Sequence, residues 1–113
     1  KNKSYFKKNY SKEEYKEAIK ITDYLIKKIK KLIGDDNLYF IVNCYDKKNI
    51  INNSLNNISK NNNLYYLKTP IIELKKADDR KEDIFNFDGG HLNDIGNKIY
   101  GTAIGNEILK IIK

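Results

Sequence analysis

The chain has 113 residues, and its 22 Lys and Arg outnumber its 15 Asp and Glu, giving a formal net charge of +7. This length suits one domain and excludes a large core, since a chain of this size buries only about two-thirds of its unfolded surface. The first ten residues are basic and aromatic, which excludes a signal peptide or membrane span there. Because the sequence starts at Lys1 and contains no methionine, we expect a piece of a longer protein.

A long amphipathic helix is predicted over residues 11–33. Ser11 followed by Glu14 is a capping-box pattern, and Gly34 supplies a stop signal at the other end. The polar face is mostly Lys and Glu, which is typical of a solvated surface. The apolar residues recur at helical spacing, at Tyr15, Ala18, Ile19, Thr22, Leu25, Ile26, Ile29, Leu32 and Ile33.

A buried strand is predicted at residues 38–45, where an unbroken apolar run is rich in β-branched and aromatic residues. We interpret this run as a central parallel strand covered on both faces. Cys44 lies within it, so a buried thiol is favoured over a nucleophile, and a single cysteine excludes an internal disulfide. After a loop at residues 46–49, we expect an Asn-rich helix that ends near residues 61–63 and has one apolar face, at Ile51, Leu55 and Ile58.

A second strand is predicted at residues 64–69, closed by Pro70, which lacks the amide hydrogen that a ladder requires. Residues 71–87 are interpreted as a long connection. A terminal helix is predicted from about Asn93 onward, and three glycines weaken it unless its backbone lies close against something. Its buried side is expected at Ile95, Ile99, Ala103, Ile108 and Ile112, and its glycines are Gly96, Gly101 and Gly105.

The order helix, strand, helix, strand, helix predicts an α/β fold with parallel strands and helices on both faces of a sheet. Two strands of this buried type cannot complete such a sheet, because they would leave open edges and uncovered apolar surface. We therefore expect further strands from upstream sequence, another chain or a partner.

The chain has a single histidine, His91, and an acid, Asp88, stands three residues before it. A carboxylate that orients an imidazole is the arrangement that a general base needs. Gly89 and Gly90 allow a tight turn between the two side chains, and Asn93 or Asp94 can cap the helix that follows. The alternative interpretation is a surface or capping histidine beside an ordinary turn residue.

The pattern D-G-x-H-x-N-x-x-G, which here begins at Asp88 and continues into the terminal helix, resembles the last block of the SGNH (GDSL-type) hydrolases. The match covers residues 88 to about 105. The resemblance implies a three-layer α/β/α, flavodoxin-like fold, of which residues 1–113 are the C-terminal portion of one domain. It also implies that Asp88 is the triad acid and His91 the general base. Such enzymes hydrolyse small-molecule and polysaccharide esters, including acetyl esters, and need no metal or organic cofactor.

The nucleophile of that family is absent, because the chain has no G-D-S or G-x-N-D segment. Of its four serines, Ser11 is a predicted helix cap, Ser54 and Ser59 belong to the Asn-rich helix, and Ser4 lies in the Lys-rich leader. None of them lies on a predicted strand-to-helix turn. We expect the nucleophile and oxyanion donors in the missing N-terminal half of the domain or in a partner chain. The 113 residues alone are therefore expected to be inactive.

Two other classes stay open. One is a noncatalytic interaction module derived from such a fold. The other is a basic binder of nucleic acid or an anionic polymer, which is disfavoured because the only Arg is Arg80 and the lysines are spread along helix faces. One His and one distant Cys do not form a zinc site. The sequence is compatible with the bacterial cytoplasm and with the cell envelope.

Overall fold

The computed structural model describes residues 10–43, 45 and 51–113, and over these residues the chain is a mixed α/β structure that is mostly helical. One compact unit ends at Asn37, and the other spans residues 38–113. Among the described helices, none combines the length and apolar character that crossing a membrane demands. The elements are α1 (Lys12–Ile33), β1 (Phe40–Ile41), α2 (Asn52–Asn62), β2 (Tyr65–Tyr66), α3 (Thr69–Asp79) and α4 (Asp94–Ile112).

Helix α1 has the predicted bounds and the predicted caps. The Ser11 side chain accepts a hydrogen bond from the backbone N–H of Glu14 at 3.0 Å, and the Glu14 side chain accepts one from the backbone N–H of Ser11 at 3.0 Å. At the other end, Gly34 adopts a φ of 102° and donates its N–H to the Lys30 carbonyl. No residue of α1 is buried, and several of its apolar side chains are exposed, among them Ile21, Leu25, Ile29, Leu32 and Ile33.

The two strands pair in parallel, as predicted, with Phe40 opposite Tyr65. Both are shorter than the apolar runs that contain them. Leu38 and Val42 are exposed, so these residues do not cover the run on both faces, because a two-stranded ladder is too narrow to bury every side chain. Cys44 and the predicted loop at residues 46–49 lie outside the described residues.

Helix α2 ends where the Asn-rich tract predicted. Asn63 adopts the left-handed conformation, with φ 55° and ψ 49°, and its N–H bonds to the Ser59 carbonyl. Asparagine tolerates this conformation better than most residues. Of the predicted apolar face, Ile58 is buried, whereas Ile51 at the start of the helix is exposed.

Helix α3 corrects the prediction of a long connection at residues 71–87. Pro70, predicted to close a strand at residues 64–69, lies instead in the first turn of α3, where a backbone N–H would have no partner within the helix, and β2 ends at Tyr66. The backbone N–H of Thr69 donates to the Glu107 side chain at 2.9 Å. This carboxylate from α4 satisfies one of the unpaired N–H groups at the start of α3 and carries the favourable charge for that end.

The core lies between α3 and α4. Leu74 and Ala77 of α3 and Ile84 beyond it are fully buried, and partly buried side chains pack around them: Tyr45, Phe85, Leu92, Ile99 and Tyr100. On α4 the prediction is confirmed for Ala103, which is buried, and is wrong for Ile95 and Ile112, which are exposed. The buried side of α4 begins instead at Gly96, one position further along the helix.

Gly96 is buried because the backbone of α4 runs against the segment that precedes it. A Cβ atom at Gly96 would overlap the carbonyl oxygen of Ile84 and press on Leu92. Around Gly101 and Gly105, by contrast, a Cβ atom would meet nothing within 4 Å. The predicted close approach of a helix backbone therefore holds for the first of the three glycines.

Replacing Gly96 with Ala is expected to lower the free energy of unfolding by about 1–3 kcal/mol, because the Ile84 carbonyl belongs to backbone that cannot rotate away. The matched control, Gly101→Ala, is expected to raise it by up to about 1 kcal/mol through helix propensity. Urea unfolding followed by circular dichroism measures both. Equal or greater stability of Gly96→Ala would contradict the close approach.

Candidate functional site

The predicted acid and base lie on a hairpin formed by residues 84–93, hereafter the 84–93 hairpin. Its base is held by an antiparallel bridge between Phe85 and Leu92 and by a 2.9 Å hydrogen bond from the N–H of Asn93 to the carbonyl of Ile84. Because Ile84 is fully buried in the core, the base of the hairpin is anchored to it.

The tip of the hairpin is a tight turn. The N–H of Gly89 donates to the Asn86 carbonyl at 2.9 Å, and the N–H of Asn86 donates to the His91 carbonyl at 2.8 Å. Gly89 has a φ of 69°, a value that favours glycine, whereas Gly90 is not at positive φ. Two glycines were predicted to allow the turn, and Gly89 is the one whose backbone conformation favours a glycine.

Asp88 uses both carboxylate oxygens within this turn. Its Oδ1 accepts hydrogen bonds from the backbone N–H groups of Gly90, at 2.9 Å, and of His91, at 3.0 Å. Its Oδ2 lies 2.5 Å from Nδ1 of the His91 ring. An ionised carboxylate only accepts, so Nδ1 carries the hydrogen, and Nε2 is the ring nitrogen that can exchange a proton.

The contact changes the acidity of both partners. Hydrogen bonds from the His91 side chain, the His91 backbone and the Gly90 backbone lower the pKa of Asp88 to about 2. The hydrogen bond with Asp88, and then its negative charge, raise the pKa of His91 above its ordinary value. Asp88 therefore stays ionised near neutral pH, and His91 is a stronger base than a free imidazole.

The hairpin lies beside the residues that follow the carboxyl end of β1. The ring of Tyr45 stacks on that of Phe85 with 6.0 Å between centroids, and the Tyr100 hydroxyl donates to the Asn43 carbonyl at 2.7 Å. This is the edge at which open α/β sheets gather reactive groups. Phe85 at the base of the hairpin makes the contact with Tyr45, whereas the His91 side chain nearer the tip is 82% exposed.

A polar contact that the sequence did not predict joins β2 and a residue that follows β1 to α2. Oδ1 of Asn52 accepts from the Asn43 side chain at 3.1 Å and from the Tyr66 hydroxyl at 2.5 Å. Burial raises the pKa of Tyr66, so this hydroxyl keeps its proton and donates. A polar residue directly after an apolar strand was the available signal, but it does not identify a partner nine residues away.

Tyr45 carries another shifted group. Its hydroxyl donates to Oδ2 of Asp78 on α3 at 2.9 Å, and burial together with this bond raises the pKa of Tyr45 to about 12. The bond joins the residues that follow β1 to α3. A tyrosine with this pKa stays protonated near neutral pH and acts as a hydrogen-bond donor.

The side chains of Ser11 and Ser59 make structural contacts. Ser11 is the cap of α1, and Ser59 is buried in α2 with its hydroxyl bonded to the Leu55 carbonyl at 2.7 Å. Ser54 also lies within α2, and Ser4 falls outside the described residues. Ser11, Ser54 and Ser59 therefore lie at the start of α1 or within α2.

Comparison with protein-family models, with curated proteins and with solved structures finds no match to this chain. The resemblance to SGNH hydrolases therefore rests on the motif that begins at Asp88. Over residues 10–43, 45 and 51–113, no three or more His, Cys, Asp or Glu side chains form a group that could hold a metal ion.

The His91 pKa, measured by NMR titration of the ring, is expected to lie above the ordinary value of about 6.5. Asp88→Asn removes the charge and the strong acceptor, so the His91 pKa should fall toward that value. Asp83→Asn, a matched change of an exposed acid, should leave it unchanged. Since the chain has one histidine, the signal is unambiguous. An ordinary pKa in the unmodified chain would contradict the Asp88 contact.

Proposed function

We propose that this chain supplies the acid and base of a serine ester hydrolase of the SGNH type, with Asp88 orienting His91. The observation that carries the proposal is the 2.5 Å contact between Asp88 Oδ2 and His91 Nδ1 within the D-G-x-H-x-N-x-x-G motif. It fixes the tautomer that leaves Nε2 able to accept a proton from a hydroxyl.

In the proposed reaction, Nε2 of His91 accepts the proton of a serine hydroxyl as the serine oxygen bonds to the ester carbonyl carbon. The resulting oxyanion collapses, the bond to the alkoxy group breaks, and His91 returns the proton to the departing alcohol. Water then hydrolyses the acyl-enzyme by the same sequence. The serine and the oxyanion donors come from outside these 113 residues. Asp88 stays ionised throughout, in keeping with its low pKa.

The architecture supports the proposal at a coarser level. Two parallel strands joined through a helix, with the hairpin beside their carboxyl edge, are compatible with a three-layer α/β/α, flavodoxin-like domain. Leu38, Val42 and Tyr65 are apolar or aromatic residues in or beside the strands that stay exposed. We propose that strands and helices from the rest of the domain cover them, and that the substrate is a small-molecule or polysaccharide ester.

A fluorophosphonate probe tests this proposal on the full-length protein that carries this segment, together with hydrolysis of p-nitrophenyl acetate. We expect one labelled serine outside residues 1–113 and a loss of turnover of at least about 10³-fold in His91→Ala. Asp83→Asn is the control and should keep full activity. A full-length protein that neither labels nor turns over ester would favour the noncatalytic module instead.

The pH profile of kcat/KM gives a second prediction. The base must be neutral to accept a proton, so activity falls as the pH drops through the His91 pKa. Because Asp88 raises that pKa, the acidic limb should lie above about 6.5. In Asp88→Asn the limb should move to lower pH while maximal activity drops. A limb that does not move would contradict the role of Asp88.

A further inference from the structure

Asn93 uses all of its polar groups at the junction between the 84–93 hairpin and α4. Its Oδ1 caps the helix by accepting from the N–H of Gly96 at 2.9 Å. Its Nδ2 donates to the carbonyls of Asp83, at 2.8 Å, and Phe85, at 3.4 Å. Its backbone N–H bonds to the Ile84 carbonyl, and its own carbonyl accepts from Asn97.

These contacts require a side chain with an oxygen that accepts a hydrogen bond from α4 and an N–H group that donates to the carbonyls of the incoming arm. Serine or aspartate satisfies the cap but lacks an amide nitrogen to donate to the Asp83 and Phe85 carbonyls. Glutamine has both groups on a longer stem. Asparagine is therefore the residue that both starts α4 and holds the incoming arm of the hairpin.

The contacts of Asn93 are made at the base of the hairpin whose turn contains the acid and the base. Closing the base of the hairpin sets the distance between its two arms, and the turn between them contains Asp88 and His91. The turn has hydrogen bonds of its own, from Gly89 to Asn86 and from Gly90 and His91 to Asp88, but it packs little against the core, because Phe87 at its tip is fully exposed and Asp88 is 39% exposed. If the base opens, the turn is free to sample conformations in which the carboxylate and the ring separate.

We propose that Asn93 is a positioning residue for His91, acting through its two donated hydrogen bonds and not only through the cap of α4. A role for Asn93 in catalysis rests on the proposed function, whereas its effect on the hairpin can be measured in these 113 residues whatever the function is. Asn93 contacts no reacting atom. It acts by keeping the arms of the hairpin together, so that Asp88 and His91 stay in contact.

The test uses the 113-residue chain and the NMR titration of its single histidine. Asn93→Ser keeps a neutral capping oxygen and loses the two donated bonds, and Asn93→Ala loses both functions. Ala103→Gly, a buried change elsewhere on α4, is the control for stability alone. Circular dichroism confirms that each variant is folded at the temperature of the titration, and thermal unfolding gives its Tm.

We expect the His91 pKa to fall toward about 6.5 in both Asn93 variants. The Tm should fall more in Asn93→Ala than in Asn93→Ser, because serine caps a helix well. In Ala103→Gly the Tm should fall with the His91 pKa unchanged. An unchanged pKa in folded Asn93→Ser, or an equal shift in Ala103→Gly, would overturn the proposal.

A separate measurement distinguishes this proposal from the proposed function. In the full-length protein, Asn93→Ser should lower kcat about tenfold or more with little change in KM, since a small displacement of a base slows the chemical step. If the protein has no esterase activity while the His91 pKa still responds to Asn93→Ser, the hydrolase proposal fails and the positioning role stands. If the protein is an active esterase and its kcat is unaffected by Asn93→Ser, the positioning role fails and the hydrolase proposal stands.

Discussion

Helix α4 can lie against the segment that precedes it only because Gly96 has no side chain. The carbonyl of Ile84 occupies the space that a Cβ atom would fill, and the same carbonyl accepts the N–H of Asn93. One backbone group therefore closes the hairpin and limits the residue allowed on the helix. Ile84 is also fully buried with Leu74 and Ala77, so the core and the candidate site share this contact.

Hydrogen bonds between elements add to this close approach of two backbone segments. Glu107 holds the first turn of α3, Tyr45 reaches Asp78, and Tyr100 reaches the carbonyl of Asn43. Each such bond contributes about 1 kcal/mol net, and leaving a buried partner unsatisfied costs more. These bonds fix the orientation of the elements, because they join α3, α4 and the residues that follow β1. Among those residues, Tyr45 also stacks its ring on Phe85 of the hairpin.

The features that the sequence predicted well depend on neighbours in the chain. Ser11 and Glu14 cap α1 three residues apart, and Asn93 caps α4 in the same way. Asp88 and His91 also lie three residues apart, which is why their pairing was accessible to sequence reasoning. The failures depend on distant contacts or on one ambiguous residue. A proline at residue 70 fits the end of a strand as well as the first turn of a helix, and the packing of α3 against α4 is a distant contact that the local pattern does not show.

The buried side of α4 shows the same limit. Isoleucines at helical spacing pointed to Ile95 and Ile112, but the residue that faces the core near the start of the helix is a glycine, which apolar periodicity does not detect. The Asn52 contact with Asn43 and Tyr66 was missed for a related reason. Its three side chains come from a residue that follows β1, from β2 and from α2, and no short motif contains them.

The His91 ring is exposed in these residues, and its pKa would change if further protein enclosed it. Asp88 raises the His91 pKa, and in water this attraction is weakened by screening. Covering the ring with further protein would strengthen the attraction and would also penalise the charged imidazolium, which lowers the pKa. The two effects oppose each other. The backbone N–H groups of Gly90 and His91 hold the Asp88 carboxylate in place, so an enclosed imidazole would keep its orientation toward Asp88 when water is removed.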